Sequence, residues 1–168
     1  MGDGYLNINT LDCQNMSLSD DYGDISLKNL DISKGKITSS DGDISIRDSL
    51  LRNTSVQADY GDLNLKNTSC TNGEIHLSDG DLTTAKASFS GQNTIDSSLG
   101  DITLGISADN LKQLSINAAT SLGDLKIPES LKGQLTGSDD SHAYSRTTDS
   151  KNLLTVTSSD GDISISSK

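Results

Sequence analysis

Apolar and polar residues alternate along this chain in short bursts, and the bursts recur at a nearly constant interval. Each burst is a Gly followed by an apolar-x-apolar triplet or its close variant. The Gly residues are Gly4, Gly23, Gly42, Gly61, Gly80, Gly100, Gly123 and Gly161, with successive separations of 19, 19, 19, 19, 20, 23 and 38. A short fixed period is the mark of stacked repeats.

With each motif Gly as position 0, position 2 reads Leu6, Ile25, Ile44, Leu63, Leu82, Ile102, Leu125 and Ile163. Position 4 reads Ile8, Leu27, Ile46, Leu65, Thr84, Leu104, Ile127 and Ile165. The residue between them is polar in nearly every repeat, which predicts a half-buried strand. Position 9 of the regular repeats reads Cys13, Ile32, Leu51, Cys70 and Phe89. Position 14 reads Leu18, Ile37, Val56 and Ile75, then Thr94 with Ile95 beside it after a one-residue slip. Each repeat therefore predicts a second and a third short strand. Gly35 and Gly73, both at position 12, suit a tight corner.

A helical repeat needs apolar residues at three- and four-residue steps over a dozen residues, and positions 2 and 4 forbid that. A propeller blade needs about 40 residues. The pattern thus predicts an all-β fold, a single-stranded parallel β-helix (β-solenoid) of about 19 residues per turn and about seven to eight turns. At about 4.8 Å per turn it would be a rod roughly 35–40 Å long.

Residues 1–168 read as one domain, with regular turns over 3–104, irregular turns or a loop over 105–158, and a final motif over 159–165. The last Gly separation is two periods, and each turn is expected to stack on the one before it. The stretch from Ile106 to Leu114 predicts a bulge or one helical turn. Pro128 to Lys151 is polar, and only Leu131, Leu135, Ala143 and Tyr144 offer side chains to bury. It predicts either a degenerate turn or a protruding loop.

Composition narrows the function classes. Leu, Ile, Val and Phe make up 38 of 168 residues, close to the roughly 20% below which a charged chain stays unfolded. Placement in fixed columns is what permits a thin core. The net charge of −11 disfavours nucleic acid and anionic membrane surfaces as partners. No apolar run reaches the roughly 18 residues of a membrane span. Asp3-Gly4-Tyr5-Leu6-Asn7-Ile8 already matches the motif, so an upstream segment carrying an anchor is expected, with membrane attachment only through it.

Cys13 and Cys70 share a column three turns apart, roughly 14 Å, too far for a disulfide. They predict separate buried thiols. His76 alternates with Ile75 and Leu77 and should point outward; His142 lies in the irregular region. Two distant histidines without a Cys or carboxylate cluster do not make a zinc site. Three Asn-x-Ser/Thr tripeptides, at Asn15, Asn53 and Asn67, are compositional in a chain this rich in Asn and Ser.

Position 1 carries an acidic ridge: Asp24, Asp43, Asp62, Asp81, Asp101, Asp124 and Asp162. Stacking sets these carboxylates about 4.8 Å apart, where they repel. Two readings offset this. In the first, each Asp accepts backbone N–H bonds from its own turn. In the second, calcium lodges between turns, with Asp24, Asp43, Asp62, Asp81 and Asp101 as ligands. The repeats of calcium-binding β-rolls and the EF-hand loop are both absent, so turn chemistry is the favoured reading and no resident cofactor is expected.

No nucleophile elbow, phosphate loop or dinucleotide fingerprint is present, and no catalytic residue is assigned. Tyr22 and Tyr60 precede motif Gly residues two turns apart. They predict corner packing or, less favoured, an exposed strip with Tyr5.

The runs Ser40 to Ile46 and Ser159 to Ile165 both spell Ser-Asp-Gly-Asp-Ile-Ser-Ile. They resemble the repeats of a bacterial adhesin family of β-strand-repeat domains whose function is unknown. The resemblance covers nearly the whole chain. It implies a β-solenoid joined to a membrane segment or export signal, a role in cell-surface adhesion, and no catalytic residues. The reading that follows is a non-catalytic, acidic surface or envelope module that presents a polar face to a glycan or protein ligand. One alternative is a structural or regulatory module that self-associates through its open sheet ends. Another, the least favoured, is a carbohydrate-active enzyme.

Overall fold

The computed structural model describes residues 4–138 and 141–168. Asp3, the expected start of the regular turns, lies outside them, as do Asp139 and Asp140 of the irregular stretch. The fold is all-β and β-solenoid-like. Its strands join in one sheet and pair mostly in parallel, which is what short strands repeated at a fixed interval allow.

Three inward files run along the molecule. Ile25, Ile44, Leu63, Leu82 and Ile102 pair in sequence, at steps of 19 residues and then 20. Ile32, Leu51, Cys70 and Phe89 make the second file. Ile37, Val56, Ile75 and Ile95 make the third, so the one-residue slip at Thr94 keeps Ile95 in line. Nearly all these side chains are fully buried, and the polar residues between them face out. The first strand, Gly4–Asp41, runs unbroken for 38 residues. Its first turn covers the end of the core with half-buried Ile8, Leu11, Cys13, Met16 and Leu18.

Corners are set by backbone conformation at three places per turn. Gly42, Asp48 and Asn53 have φ of 127°, 52° and 46°. The next turn repeats this with Gly61, Asn67 and Asn72, and the one after with Gly80, Lys86 and Gly91. Asn and Asp tolerate the left-handed region because their short side chains bond locally. Here those bonds reach the neighbouring turn: Asn67 Nδ2 donates to Asp48 Oδ1 at 2.9 Å, and Asn53 Nδ2 to the Ser33 carbonyl at 3.1 Å. Position 12, expected as a corner from Gly35 and Gly73, follows the left-handed Asn72 at Gly73, whereas Gly35 continues the unbroken first strand.

The stacking order corrects the sequence reading. The final motif does not sit at the far end. Ile163 pairs with Ile102 on one side and Leu125 on the other, so the last strand lies between two earlier turns. On a second face, Leu153–Asp160 is likewise placed between Gln92–Leu99 and Ser115–Leu122. Order along the molecule therefore runs Gly80, Gly100, Gly161, Gly123.

The irregular stretch resolves into two devices. Ala108–Gln113 is a short helix, with Leu111 buried. Asn110 binds both the N–H and the carbonyl of Phe89, each at 2.9 Å, replacing the strand that would otherwise stack there. Arg146 donates to the Leu111 and Lys112 carbonyls, which satisfies the helix end. Residues 128–151 are neither a parallel turn nor a free loop. Gln134–Ser138 and Ser141–Arg146 form an antiparallel pair, and Ser141–Arg146 pairs antiparallel with Ser115–Leu122. This hairpin covers the edge of one face. Leu131 and Tyr144 are buried as expected, with the Tyr144 hydroxyl on the Leu131 carbonyl at 3.2 Å. Leu135 and Ala143 are exposed, contrary to expectation.

Candidate functional site

The acidic ridge exists, and its geometry explains how the carboxylates coexist. The N–H of Asp43 donates to Asp24 Oδ1 at 3.0 Å, that of Asp62 to Asp43 and that of Asp81 to Asp62, both at 2.9 Å. Asp101 then donates to Asp81, Asp162 to Asp101 and Asp124 to Asp162, each at 2.8 Å. Six of the seven carboxylates thus accept from the amide of the next turn, not of their own turn, and Asp124 ends the ladder. A charge-assisted bond to an otherwise open backbone N–H offsets the repulsion along the column. The motif Gly beside it is dictated by close approach. A Cβ on Gly42 would lie 2.2 Å from the Gly23 carbonyl oxygen, at a φ of 127°.

At the far end of this ladder the Asp162 carboxyl is held below its ordinary range, first by the Asp124 amide and then by Lys126 Nζ at 3.0 Å. Among the described residues no group of three or more His, Cys, Asp or Glu side chains is arranged to hold a metal ion. Asp24, Asp43, Asp62, Asp81 and Asp101 are brought into one file, but with Oδ1 of each engaged by an amide.

Cys70 is buried within the second file, and burial pushes its thiol up to about 12. Cys13 is only half-buried, on the end turn. Both are free thiols. His76 faces out as expected, 3.9 Å from Asp96 across one turn. His142 Nδ1 lies 3.0 Å from the Gly123 carbonyl. Tyr5, Tyr22 and Tyr60 are exposed at 65%, 57% and 63%, so the favoured corner-packing reading of Tyr22 and Tyr60 is overturned. Tyr22 and Tyr60 stand immediately before the motif Gly of their corner, and Tyr5 immediately after its own.

Sequence reasoning missed a concave surface. A shallow groove of about 350 Å³ runs across the hairpin and the strands Ser115–Leu122 and Leu153–Asp160, which the hairpin continues as one sheet face. Its outward polar groups are Asn117, Gln134, Thr136, Ser145, Thr155 and Thr157. Ser145 Oγ donates to Asn117 Oδ1 at 3.0 Å, which orients that amide. No carboxylate, histidine or cysteine is among the lining residues. The groove depends on the inserted strand and the hairpin, neither of which has a periodic signature.

The chain is thus a wound, mostly parallel β domain with acidic and hydroxyl-rich outer columns. It belongs to the Toastrack DUF4097 family, whose model matches residues 1–166. That family is one of unknown function. No curated protein and no solved structure matches the chain. Among the described residues no helix is long and apolar enough to cross a membrane.

Proposed function

We propose that the chain is a single-stranded parallel β-helix of about 19 residues per turn that acts as a non-catalytic binding module at the cell surface or envelope. The observation that carries this reading is the groove beside the hairpin. Amides and hydroxyls of Asn117, Gln134, Thr136, Ser145, Thr155 and Thr157 share this concavity with Ala118, Ala119, Ala143, Tyr144 and Val156, so its accessible lining is mostly apolar, which suits an uncharged ligand with both hydroxyls and C–H faces, such as a glycan. Cleaving a glycosidic bond calls for a pair of carboxyl groups flanking it, and the groove is lined by none. The stacked backbone pre-organises the surface, so little ordering opposes binding. The adhesin resemblance supports the surface location.

The test is a glycan array probed with the whole chain, repeated with an Asn117→Ala/Gln134→Ala/Thr155→Ala variant. Binding that the variant loses supports the reading. Silence across glycans and matrix proteins, or binding untouched by the three substitutions, removes it. Protease shaving of intact cells that make the full gene product tests location; protection of this domain there overturns the surface assignment.

A further inference from the structure

The exposed apolar residues are not scattered. Tyr22, Tyr60, Leu99 and Leu122, exposed at 57%, 63%, 48% and 54%, all occupy the position just before a motif Gly. Register alternates them with acids. Asp41 pairs with Tyr60, Tyr60 with Asp79, Asp79 with Leu99, Leu99 with Asp160, and Asp160 with Leu122. The order along the edge is therefore aromatic, acid, aromatic, acid, Leu, acid, Leu. This holds only because the last strand is inserted. Stacked in chain order, Leu99 and Leu122 would be adjacent and Asp160 would follow both. The parallel Asp ladder runs one residue beyond the Gly on the same corner.

We infer that this edge is a docking track for a basic polypeptide segment in the polyproline II conformation that carries one apolar side chain at every third residue. Apolar groups two turns apart recur at about 9.6 Å along the edge. Polyproline II has three residues per turn and a rise of about 3.1 Å, so every third side chain faces the same way at about 9.3 Å. Over the four apolar positions the two repeats drift by only about 1 Å. A β-strand fails this match, since its residues three apart point to opposite faces. The intervening Asp41, Asp79 and Asp160 then meet the basic side chains between the apolar ones. Charge complementarity excludes a second copy of this chain, with its net charge of −11. A neutral glycan would leave the acids without partners, and Leu99 and Leu122 offer no ring for sugar stacking. The track runs along the corner where two of the groove's strands end, shares no residue with the groove, and stands or falls independently of it.

The experiment is fluorescence anisotropy of the whole chain with two labelled ten-residue peptides of one composition. In the first, Leu-Lys-Pro is repeated three times and closed by Leu; in the second, the four Leu are gathered at one end. The in-register peptide should bind at least about tenfold tighter. Tyr60→Ser/Leu99→Ser should erase that preference. Asp41→Asn/Asp79→Asn/Asp160→Asn should weaken the in-register peptide by about tenfold or more, while Asp12→Asn/Asp109→Asn/Asp149→Asn, an equal change of charge elsewhere, should weaken it less than about threefold. Equal binding of the two peptides, or equal losses from the two triple variants, overturns the proposal. Amide shift mapping on the unsubstituted chain decides the matter should a variant fail to fold: peptide-induced shifts must concentrate at Asp41, Tyr60, Asp79 and Leu99, and shifts spread evenly over the acids overturn it. Asn117→Ala/Gln134→Ala/Thr155→Ala should leave peptide binding unchanged, which separates this outcome from that of the groove.

Discussion

Ile163 pairs in parallel with Ile102, from which it is separated by 61 residues, while Leu125 takes its other side. The C-terminal segment is thus an interior strand of the stack. Both Ile102 and Ile163 are fully buried, and the Asp ladder crosses the insertion with no break, from Asp101 to Asp162 to Asp124. An element that must enter between two earlier ones has the highest sequence separation in the fold, and contacts of that kind form late.

Chain termini ordinarily fray, but this one should not. Amides in Leu153–Asp160 and Ile163–Ser167 should exchange as slowly as those of Ile102–Ile106, to within about an order of magnitude. Deleting residues 152–168 should expose the edges at both Ile102 and Leu125 and unfold the half of the molecule beyond Gly100, as read by loss of amide protection there. Rapid exchange of Ile163 and Ile165 in the intact chain would contradict the insertion.

Lys86 occupies a corner that Asn29, Asp48 and Asn67 fill in the three preceding turns, with φ of 56° against 53°, 52° and 49°. A long side chain gains no local bond there to offset the left-handed strain, which for ordinary L-residues is about 1–2 kcal/mol. Lys86→Asn should stabilise the chain by about 0.5–1 kcal/mol, and Asn67→Ala should destabilise it by about 1 kcal/mol or more. Urea denaturation midpoints at constant m-value measure both.

The two free thiols should differ sharply in reactivity. Cys70 is buried between Leu51 and Phe89 with its thiol raised to about 12, so little thiolate forms at neutral pH and reagent cannot reach it. Cys13 lies half-buried on the end turn. Iodoacetamide at pH 8 should modify Cys13 well before Cys70, and Cys70 should react at a rate set by opening of the fold. Peptide mass mapping over a time course reads this directly. Equal rates would place Cys70 outside the file.

Much of this architecture was legible in the sequence because inward columns carry one residue type each. Ile25, Ile44, Leu63 and Leu82 announce a shared depth, and the slip at Ile95 is visible as a displaced apolar residue. The stacking order was not legible. Gly100, Gly123 and Gly161 head nearly identical motifs, so local chemistry gives no preference for which stacks on Gly100; burial of the whole chain decides it. The corners do leave a signal in the sequence: Asn29, Asp48 and Asn67 share one column. The hairpin left none, since Gln134–Ser138 is exposed throughout and shows no alternation. The Asp column was visible, yet whether its bonds run within a turn or between turns depends on backbone direction, which no residue type encodes. The alternating track of Tyr22, Tyr60, Leu99 and Leu122 could be assembled only once the inserted strand had its place.

Asp162 supplies a pH-dependent test of the ladder. Its carboxylate accepts from the Asp124 amide and from Lys126, and both hold its folded pKa below the ordinary value. A folded pKa lower than the unfolded one means the unfolded chain binds its proton first as pH falls. The stabilisation is therefore fully present above the ordinary carboxylate range, erodes below about pH 4, and is gone once the folded value is passed. Asp162→Asn keeps an oxygen for the Asp124 amide but removes the charge and the titration. The side chain is 38% exposed, so solvent screening limits the loss at pH 7 to less than about 1 kcal/mol. Denaturation midpoints of the two proteins should differ at neutral pH and converge as the pH falls through the lowered folded pKa. A gap that persists or widens in acid would mean that the bond from Asp124 requires no charge at Asp162, and that the ladder is held by backbone geometry alone.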